Sequence, residues 1–230
     1  MTTTNLILCG GVGHPCEETA GPVADLLSEV GITSEITDEV GAAMAELRHG
    51  GPDLVTVTAL RWRMRLERYA AQRDEWAFEL LEPARQGMLA HVGRGGGVLA
   101  LHTASICFDD WPEWGRILGG RWDWDASYHP PLGAYHIDVS CGDDPLVAGL
   151  DGFDTVDETY RALALEPGVS GVASVHHDGV DHPLVWRHTY GDARVVYDAL
   201  GHDRRGYEPA TQQAIVRRGG RWAATGVWGP

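Results

Sequence analysis

The chain has 230 residues and a formal net charge of −15, from 18 Lys and Arg against 33 Asp and Glu. This acidic balance argues against nucleic-acid binding through a basic surface and against docking to an anionic membrane, and it favours a small neutral partner. No apolar run approaches the length of a membrane span, and the first residues lack the basic segment of a signal peptide. Cys9, Cys16, Cys107 and Cys141 form no CxxC pair, so we expect reduced thiols and a cytoplasmic protein.

The first half of the sequence alternates short apolar runs with segments of helical periodicity. The runs 5–9, 33–37, 54–59 and 98–101 predict strands, and the segments 17–30, 40–48 and 80–92 predict helices. The segment 61–79 is charged and aromatic and shows no clear period. Alternation of this kind predicts a parallel sheet with helices on both faces.

The pattern changes after residue 120. The runs 134–139, 172–176, 184–188 and 194–200 predict further strands, some of them antiparallel, and 208–224 predicts a closing helix. We therefore predict a single domain, 1–230, of the α/β class. Its fold is a three-layer, mostly parallel, flavodoxin-like sheet with helices on both faces and additional antiparallel strands in the C-terminal half.

Two histidines are placed where such sheets bind ligands. The stretch 95–120, GGGVLALHTASICFDDWPEWGRILGG, contains an apolar strand that ends at His102, and GGVGH after the first strand ends at His14. Ligands of open parallel sheets bind outside the carboxyl ends of the strands, although a lone histidine in such a turn is more often structural. Cys16 stands where GxGxxG has its third glycine, so we expect no nucleotide site.

Two polar segments have both a plain and a functional interpretation. The segment 119–131, GGRWDWDASYHPP, is either a solvated loop or a binding loop that carries His129. Asp157 and Glu158, followed closely by Tyr160, are either a surface turn or a source of a general base or metal ligand.

A second apolar strand ends in a histidine. His202 and Asp203 follow the run 194–200 and repeat the arrangement at His102. Two such strand ends are harder to explain as incidental than one. The nine tryptophans cluster around 111–124, where core packing is the default and a ligand-facing role is the alternative.

The order and spacing of several blocks resemble the ThuA-like family, named for trehalose utilisation, whose fold belongs to the class I glutamine amidotransferase-like group. The blocks are GGGVLALHTAS with WPEWGRILGG, the His129 loop, DETY at 157–160, PLVWRHTYGDARVVYDALGHD at 183–203 and the terminal RRGGRWAA. In the amidotransferases the corresponding central strand ends at a nucleophilic cysteine, and His102 holds that place here. Cys107 lies five residues further on, and Ser105 has no GxSxG elbow, so glutamine hydrolysis is disfavoured.

The resemblance implies sugar metabolism, often beside dehydrogenases that oxidise a glycoside at C3. A 3-keto group acidifies the C2 proton, so a base removes it, the group at C1 leaves by elimination, and water then adds. The resemblance therefore implies a divalent metal, zinc or manganese, that is bound by His102, His129, His202 and Glu158. It implies catalysis by Glu158, His102, Asp203 and Tyr160. It implies contact with the substrate by His14, Trp111, Trp122 and Asp157.

A second interpretation is a catalytically silent amidotransferase-like module that binds a sugar or mediates assembly. The expected partner in either case is a small sugar, with no nucleic acid and no membrane. A homo-oligomer and functional pairing with a sugar dehydrogenase complete the expectations. The two interpretations predict different results for Glu158→Gln. An enzyme would lose turnover, whereas the silent module would have no turnover to lose.

Overall fold

The computed structural model describes residues 2–140 and 143–228. The strands are β1 (Thr3–Leu8), β2 (Ile32–Thr37), β3 (Leu54–Val57), β4 (Gly97–Leu101), β5 (Gly120–Arg121), β6 (Gly133–Val139), β7 (Phe153–Asp157), β8 (Ala164–Leu165), β9 (Ala173–His177), β10 (Val180–Tyr190) and β11 (Ala193–Asp198). The α-helices are α1 (Cys16–Ser28), α2 (Val40–Glu46), α3 (Ala70–Trp76), α4 (Glu82–Gly93), α5 (Pro112–Leu118) and α6 (Ala210–Thr225). Short 3₁₀ helices cover Leu47–His49, Glu67–Tyr69, His102–Ser105 and Arg204–Tyr207.

Nine of the strands form one mixed sheet in the order β2-β1-β3-β4-β11-β10-β9-β6-β7. Neighbours are parallel from β2 to β11 and antiparallel from β11 to β7. The parallel part has the strand order of the flavodoxin-like doubly wound sheet. The topology confirms the predicted fold class.

The centre of the sheet is covered on both faces. Every residue of β3 and β4 is buried, which produces near-continuous apolar runs rather than alternation. Helix α1 packs against α6, which lies along β1, β3, β4 and β11, while α2 packs against α4. No helix within the described residues is long and apolar enough to cross a membrane.

Strand β7 has no counterpart among the predicted elements. It alternates in burial, but two of its three inward positions are the polar Thr155 and Asp157, so the hydrophobic pattern is weak. Helix α3 and the short pair β5 and β8 were not expected either.

The expectation of reduced cysteines is wrong for one pair. Cys9 directly follows β1, Cys16 begins α1, and the loop between them folds back so that the two Cα atoms lie 5.3 Å apart and the sulfurs form a disulfide. A spacing of seven residues does not reveal this pairing, because it depends on the path of the loop. Cys107 is a buried free thiol, and Cys141 lies outside the described residues.

Removal of this disulfide is expected to lower the free energy of unfolding by about 2–3 kcal/mol, because the crosslink restricts the unfolded chain. The measurement is urea denaturation of the wild type and of Cys16→Ser without reductant. A reductant should lower the free energy of unfolding of the wild type to that of Cys16→Ser and leave the value for the variant unchanged. A wild type whose stability is the same with and without reductant would contradict the prediction.

Candidate metal centre

Three histidines converge at the carboxyl ends of three strands. His14 follows β1, His102 follows β4 and His202 follows β11. One ligand-capable nitrogen from each ring lies within 4.8 Å of the other two. His14 and His102 are buried and His202 is half-buried. The group therefore forms at the sheet edge where ligands of doubly wound folds bind.

His102 occupies a sharp turn between β4 and the following 3₁₀ helix. Its φ of 44° lies in the left-handed region, which a side chain-bearing residue rarely adopts and which is typical of a strained nucleophile elbow. The Tyr197 hydroxyl donates to the His102 carbonyl at 2.8 Å. His102 Nδ1 donates to the Ala199 carbonyl at 2.9 Å, which leaves Nε2 with its lone pair, 3.3 Å from the Tyr160 hydroxyl.

His14 is held by the glycine-rich loop after β1. Its Nδ1 donates to the Val12 carbonyl at 3.0 Å, so its Nε2 also carries a lone pair. That Nε2 is buried and has no hydrogen-bond partner in the described part of the chain. The loop passes close to Leu60 at Gly11, whose φ is 140° and where a Cβ would overlap the Leu60 carbonyl. Only glycine allows this path.

Asp157 is a buried hydrogen-bond acceptor for the backbone of Glu158 and His202. Its Oδ1 accepts from the amides of Glu158 at 2.8 Å and His202 at 3.2 Å, and its Oδ2 accepts from the Gly201 amide at 2.7 Å. Burial raises the pKa of Asp157 to about 7, while the three amides act in the opposite direction. Gly201 has a φ of 102°, and a Cβ there would overlap the Tyr207 hydroxyl. Its oxygens are engaged and buried, so Asp157 is placed to position this backbone, and it does not line the cavity as a substrate contact would.

Glu158 joins the histidines to one another. Its Oε2 lies 3.3 Å from His202 Nδ1, 3.6 Å from His129 Nδ1 and 3.8 Å from His102 Nε2. Burial acts to raise the pKa of Glu158, but His202 and the other imidazoles outweigh it and hold that pKa below its usual range. His129 thus contacts Glu158 but lies outside the group of three, with 42% of its side chain exposed.

The donor set fits a divalent cation. Burial lowers the pKa of His14, and that of His102 falls well below 6.5, so both rings are neutral at physiological pH, as ligands must be. Contact with Glu158 raises the pKa of His202, and a cation there would compete with that proton. Imidazoles whose other nitrogen donates to a backbone carbonyl, with one carboxylate nearby, are typical of zinc and related sites.

The site opens into a cavity of about 330 Å³ with aromatic walls. Its polar side is formed by His14, Thr103, His129, Glu158 and Tyr160. The rest is lined by Val12, Leu60, Trp62, Arg68, Tyr69, Ile106, Trp122, Trp124, Ser127 and Tyr128. This volume and this mixture of apolar walls with few polar groups are typical of a small-molecule site.

Three of the predicted site residues, Trp122, Trp111 and Asp203, lie in different surroundings. Trp122 lines the cavity and contacts Tyr160 edge to face, with ring centroids 5.1 Å apart. Trp111 stacks on Trp114 beside a different cavity of about 290 Å³. Asp203 caps the 3₁₀ helix Arg204–Tyr207, and its carboxylate is paired with Arg205. Trp122 therefore remains a substrate-contact candidate, whereas Trp111 does not line this cavity. Asp203, which was predicted to be catalytic, is engaged by Arg205 instead.

Neither Cys107 nor Ser105 provides an amidotransferase nucleophile. The Cys107 thiol donates to the Ala59 carbonyl at 2.9 Å, and burial raises its pKa to about 12. The Ser105 hydroxyl donates to the Tyr197 oxygen at 2.8 Å, because the Tyr197 proton is used on the His102 carbonyl. A protonated buried thiol is unreactive, which agrees with the expectation that glutamine hydrolysis is disfavoured.

One wall of the cavity comes from the segment 61–79, whose sequence shows no clear period. Trp62 and Tyr69 line the cavity, and both pack in a small apolar cluster with Trp76. The three aromatic residues recur at intervals of seven along the chain. That spacing was the available signal, but it falls in a mostly irregular segment with no helical period to support it.

The topology is that of a glutamine amidotransferase-like fold, and the strained residue at the end of β4 is a histidine. The sequence profile of the family described as trehalose utilisation, ThuA, matches residues 22–223. The chain belongs to the ThuA family.

Solved structures share this fold at low sequence identity. A ThuA-like protein from Parabacteroides merdae ATCC 43184 has a TM-score of 0.78 and 20% identity, over 100% of this chain and 92% of its own. A ThuA-like protein from Bacteroides uniformis ATCC 8492 has a TM-score of 0.69 and 15% identity, over 97% and 91%. A protein from Thermoplasma acidophilum that is described as a GMP synthase component has a TM-score of 0.54 and 10% identity, over 94% of each chain. No curated protein matches the chain.

Replacing Asp157 by Ala is expected to lower the free energy of unfolding by at least about 2 kcal/mol, because one buried and two partly buried amides lose their acceptor. The same change should weaken Zn²⁺ binding about 10- to 100-fold, since His202 and Glu158 lose their support. Urea denaturation and calorimetric titration with Zn²⁺ measure the two effects. Asp154→Ala is the matched control, because Asp154 lies on the same strand with 86% of its side chain exposed. Equal Zn²⁺ affinity in both variants would count against the positioning role.

Proposed function

We propose that this protein is an enzyme that acts on a 3-keto-glycoside or related sugar by metal-assisted proton abstraction, followed by elimination or hydrolysis. Membership of the ThuA family implies a role in trehalose utilisation or carbohydrate metabolism. The observation that carries the proposal is that the imidazoles of His14, His102 and His202 converge with Glu158 beside a cavity with aromatic walls. Substrates of this class arise by oxidation of a glycoside at C3, so a sugar dehydrogenase is the proposed functional partner.

Glu158 is the proposed base. Its lowered pKa keeps it ionised at neutral pH, and it lines the cavity. The C3 ketone acidifies the C2 proton, so transfer of that proton to Glu158 leaves an enolate on C2, C3 and the C3 oxygen. The enolate electrons then form the C1–C2 double bond as the bond from C1 to the leaving oxygen breaks. Water then adds across this double bond, with its hydroxyl going to C1 and the proton held by Glu158 returning to C2, which completes hydrolysis.

His14, His102 and His202 would hold the cation, which when bound would supply an electrophile for the developing charge on the C3 oxygen. Tyr160 lies beside this group. Burial raises the pKa of Tyr160 well above 10, so its hydroxyl stays protonated and acts as a hydrogen-bond donor rather than as a proton source. We assign it to orienting His102 or the substrate oxygen.

His129 is the proposed proton donor to the leaving oxygen. It lines the cavity beside Glu158 and is accessible from solvent. An imidazole can act as a general acid. Asp203, the other candidate acid, is engaged by Arg205.

The aromatic walls support a sugar as the ligand. Trp122, Trp124 and Tyr128 line the cavity near Glu158, and 46% of Tyr128 is exposed. The C–H face of a pyranose ring packs on aromatic surface, while its hydroxyls reach the polar groups of the site.

A sugar-binding module without catalysis is the second candidate. It is favoured by the elbow, where His102 replaces the nucleophile that this fold uses elsewhere and where Cys107 is inert. The fold supports unrelated functions, so loss of the ancestral chemistry does not by itself predict a new one. In this case sugar affinity would survive replacement of Glu158 by Gln, and no turnover would exist.

The first test is metal binding by protein purified without a histidine tag. We expect one Zn²⁺ or Mn²⁺ per chain by elemental analysis, and a loss of affinity beyond about 100-fold in His14→Ala and His102→Ala, because a direct ligand contributes more than its supporting residues. His136→Ala is the control, since His136 is exposed and paired with Asp154. The same affinity in all three variants would remove the metal from the proposal.

The second test is turnover of methyl 3-keto-glucoside. Glu158→Gln is expected to lower kcat by about 10²- to 10⁴-fold, the contribution of a positioned general base. His136→Ala should retain the wild-type rate. Sugar binding by the wild type without turnover would favour the silent module, and absence of both binding and turnover would exclude this substrate.

A further inference from the structure

The Trp62 indole N–H is a buried hydrogen-bond donor without an acceptor. Trp62 is 4% exposed, and its Nε1 has no partner within the described residues. Two other deeply buried indoles are satisfied, because Trp114 donates to the Ala104 carbonyl and Trp186 to the Leu118 carbonyl, each at 2.8 Å. An unpaired buried donor costs about 1–3 kcal/mol, so an unpaired N–H on a residue that lines the cavity needs an explanation.

Trp62 is fixed in place by its neighbours. The Phe78 amide donates to its carbonyl at 2.8 Å, and its ring packs edge to face on Tyr69 with centroids 5.3 Å apart. The next residue, Arg63, is anchored to Asp109 through its amide and its guanidinium. The backbone on both sides of the indole is therefore anchored, and the ring keeps its contact with Tyr69.

The same cavity contains both Trp62 and Glu158. A ligand that fills it and presents C2 to Glu158 therefore extends to the Trp62 wall. Among the other residues that line the cavity, Val12, Leu60 and Ile106 have no side-chain acceptor. The Tyr69 hydroxyl could accept, but Trp62 Nε1 makes no hydrogen bond with it. The missing acceptor is thus most simply supplied by the ligand.

We propose that Trp62 Nε1 donates a hydrogen bond to a hydroxyl oxygen of the bound sugar and selects substrates that carry a hydroxyl at that position. The assignment rests on the proposed function above. An indole N–H only donates, so it recognises an oxygen and gains nothing from a hydrogen at the same place. A site built around such a donor discriminates against deoxy analogues, because binding them leaves the N–H unpaired.

The experiment compares the wild type with Trp62→Phe, which keeps an aromatic ring and removes the N–H. The substrates are methyl 3-keto-glucoside and its 2-deoxy, 4-deoxy and 6-deoxy analogues. We expect Trp62→Phe to lower kcat/KM for the parent glucoside about 10- to 100-fold. One deoxy analogue should lose a similar factor with the wild type and nothing further with the variant, which is the coupling that identifies a direct contact.

Trp76→Phe is the matched control. Trp76 packs in the same apolar cluster but does not line the cavity, so kcat/KM should stay within about twofold of the wild type. Where Trp62→Phe does not fold, replacement of Trp62 by β-(3-benzothienyl)alanine keeps the shape of the ring and substitutes sulfur for the N–H. Additive losses for all three analogues would overturn the role of Trp62. Failure of the wild type to use or bind any of these sugars would instead overturn the proposed function.

Discussion

The site depends on one buried carboxylate. Asp157 accepts hydrogen bonds from the amides of Glu158, Gly201 and His202, and so joins residues 44 positions apart in the chain. Strand β7 lies at one edge of the sheet, with β10, β9 and β6 between it and β11. The antiparallel half must therefore curve back for its edge to reach the end of β11. That curvature brings Glu158 to histidines that belong to the parallel half.

The turn at His102 combines a strained backbone with a buried side chain. The strained backbone that presents a nucleophile in amidotransferase-like folds presents a buried imidazole here. Burial keeps that imidazole neutral, and the Ala199 carbonyl fixes its tautomer. The turn therefore presents the lone pair of His102 Nε2 at the carboxyl edge of the sheet.

The parallel half and the histidines were predictable because their signals are local. An apolar run that ends in His102 or His202 predicts a strand, and it places the histidine at the carboxyl end of that strand. Asp157, the Cys9–Cys16 disulfide and the Trp62 wall were not predictable in this way. Each depends on a contact set by the path of the chain, and an inward-facing aspartate has the same appearance in a sequence as a solvated one.

The disulfide restricts the loop that carries His14 before any ligand binds. It closes a loop in which Gly10, Gly11 and Gly13 all have positive φ, a composition that would otherwise leave His14 many conformations. A covalent link limits that freedom in the apoprotein, so less conformational entropy remains to be lost when His14 binds a ligand. The imidazole contributed by the most glycine-rich loop is in this way preorganised by the chain itself, ahead of any cation.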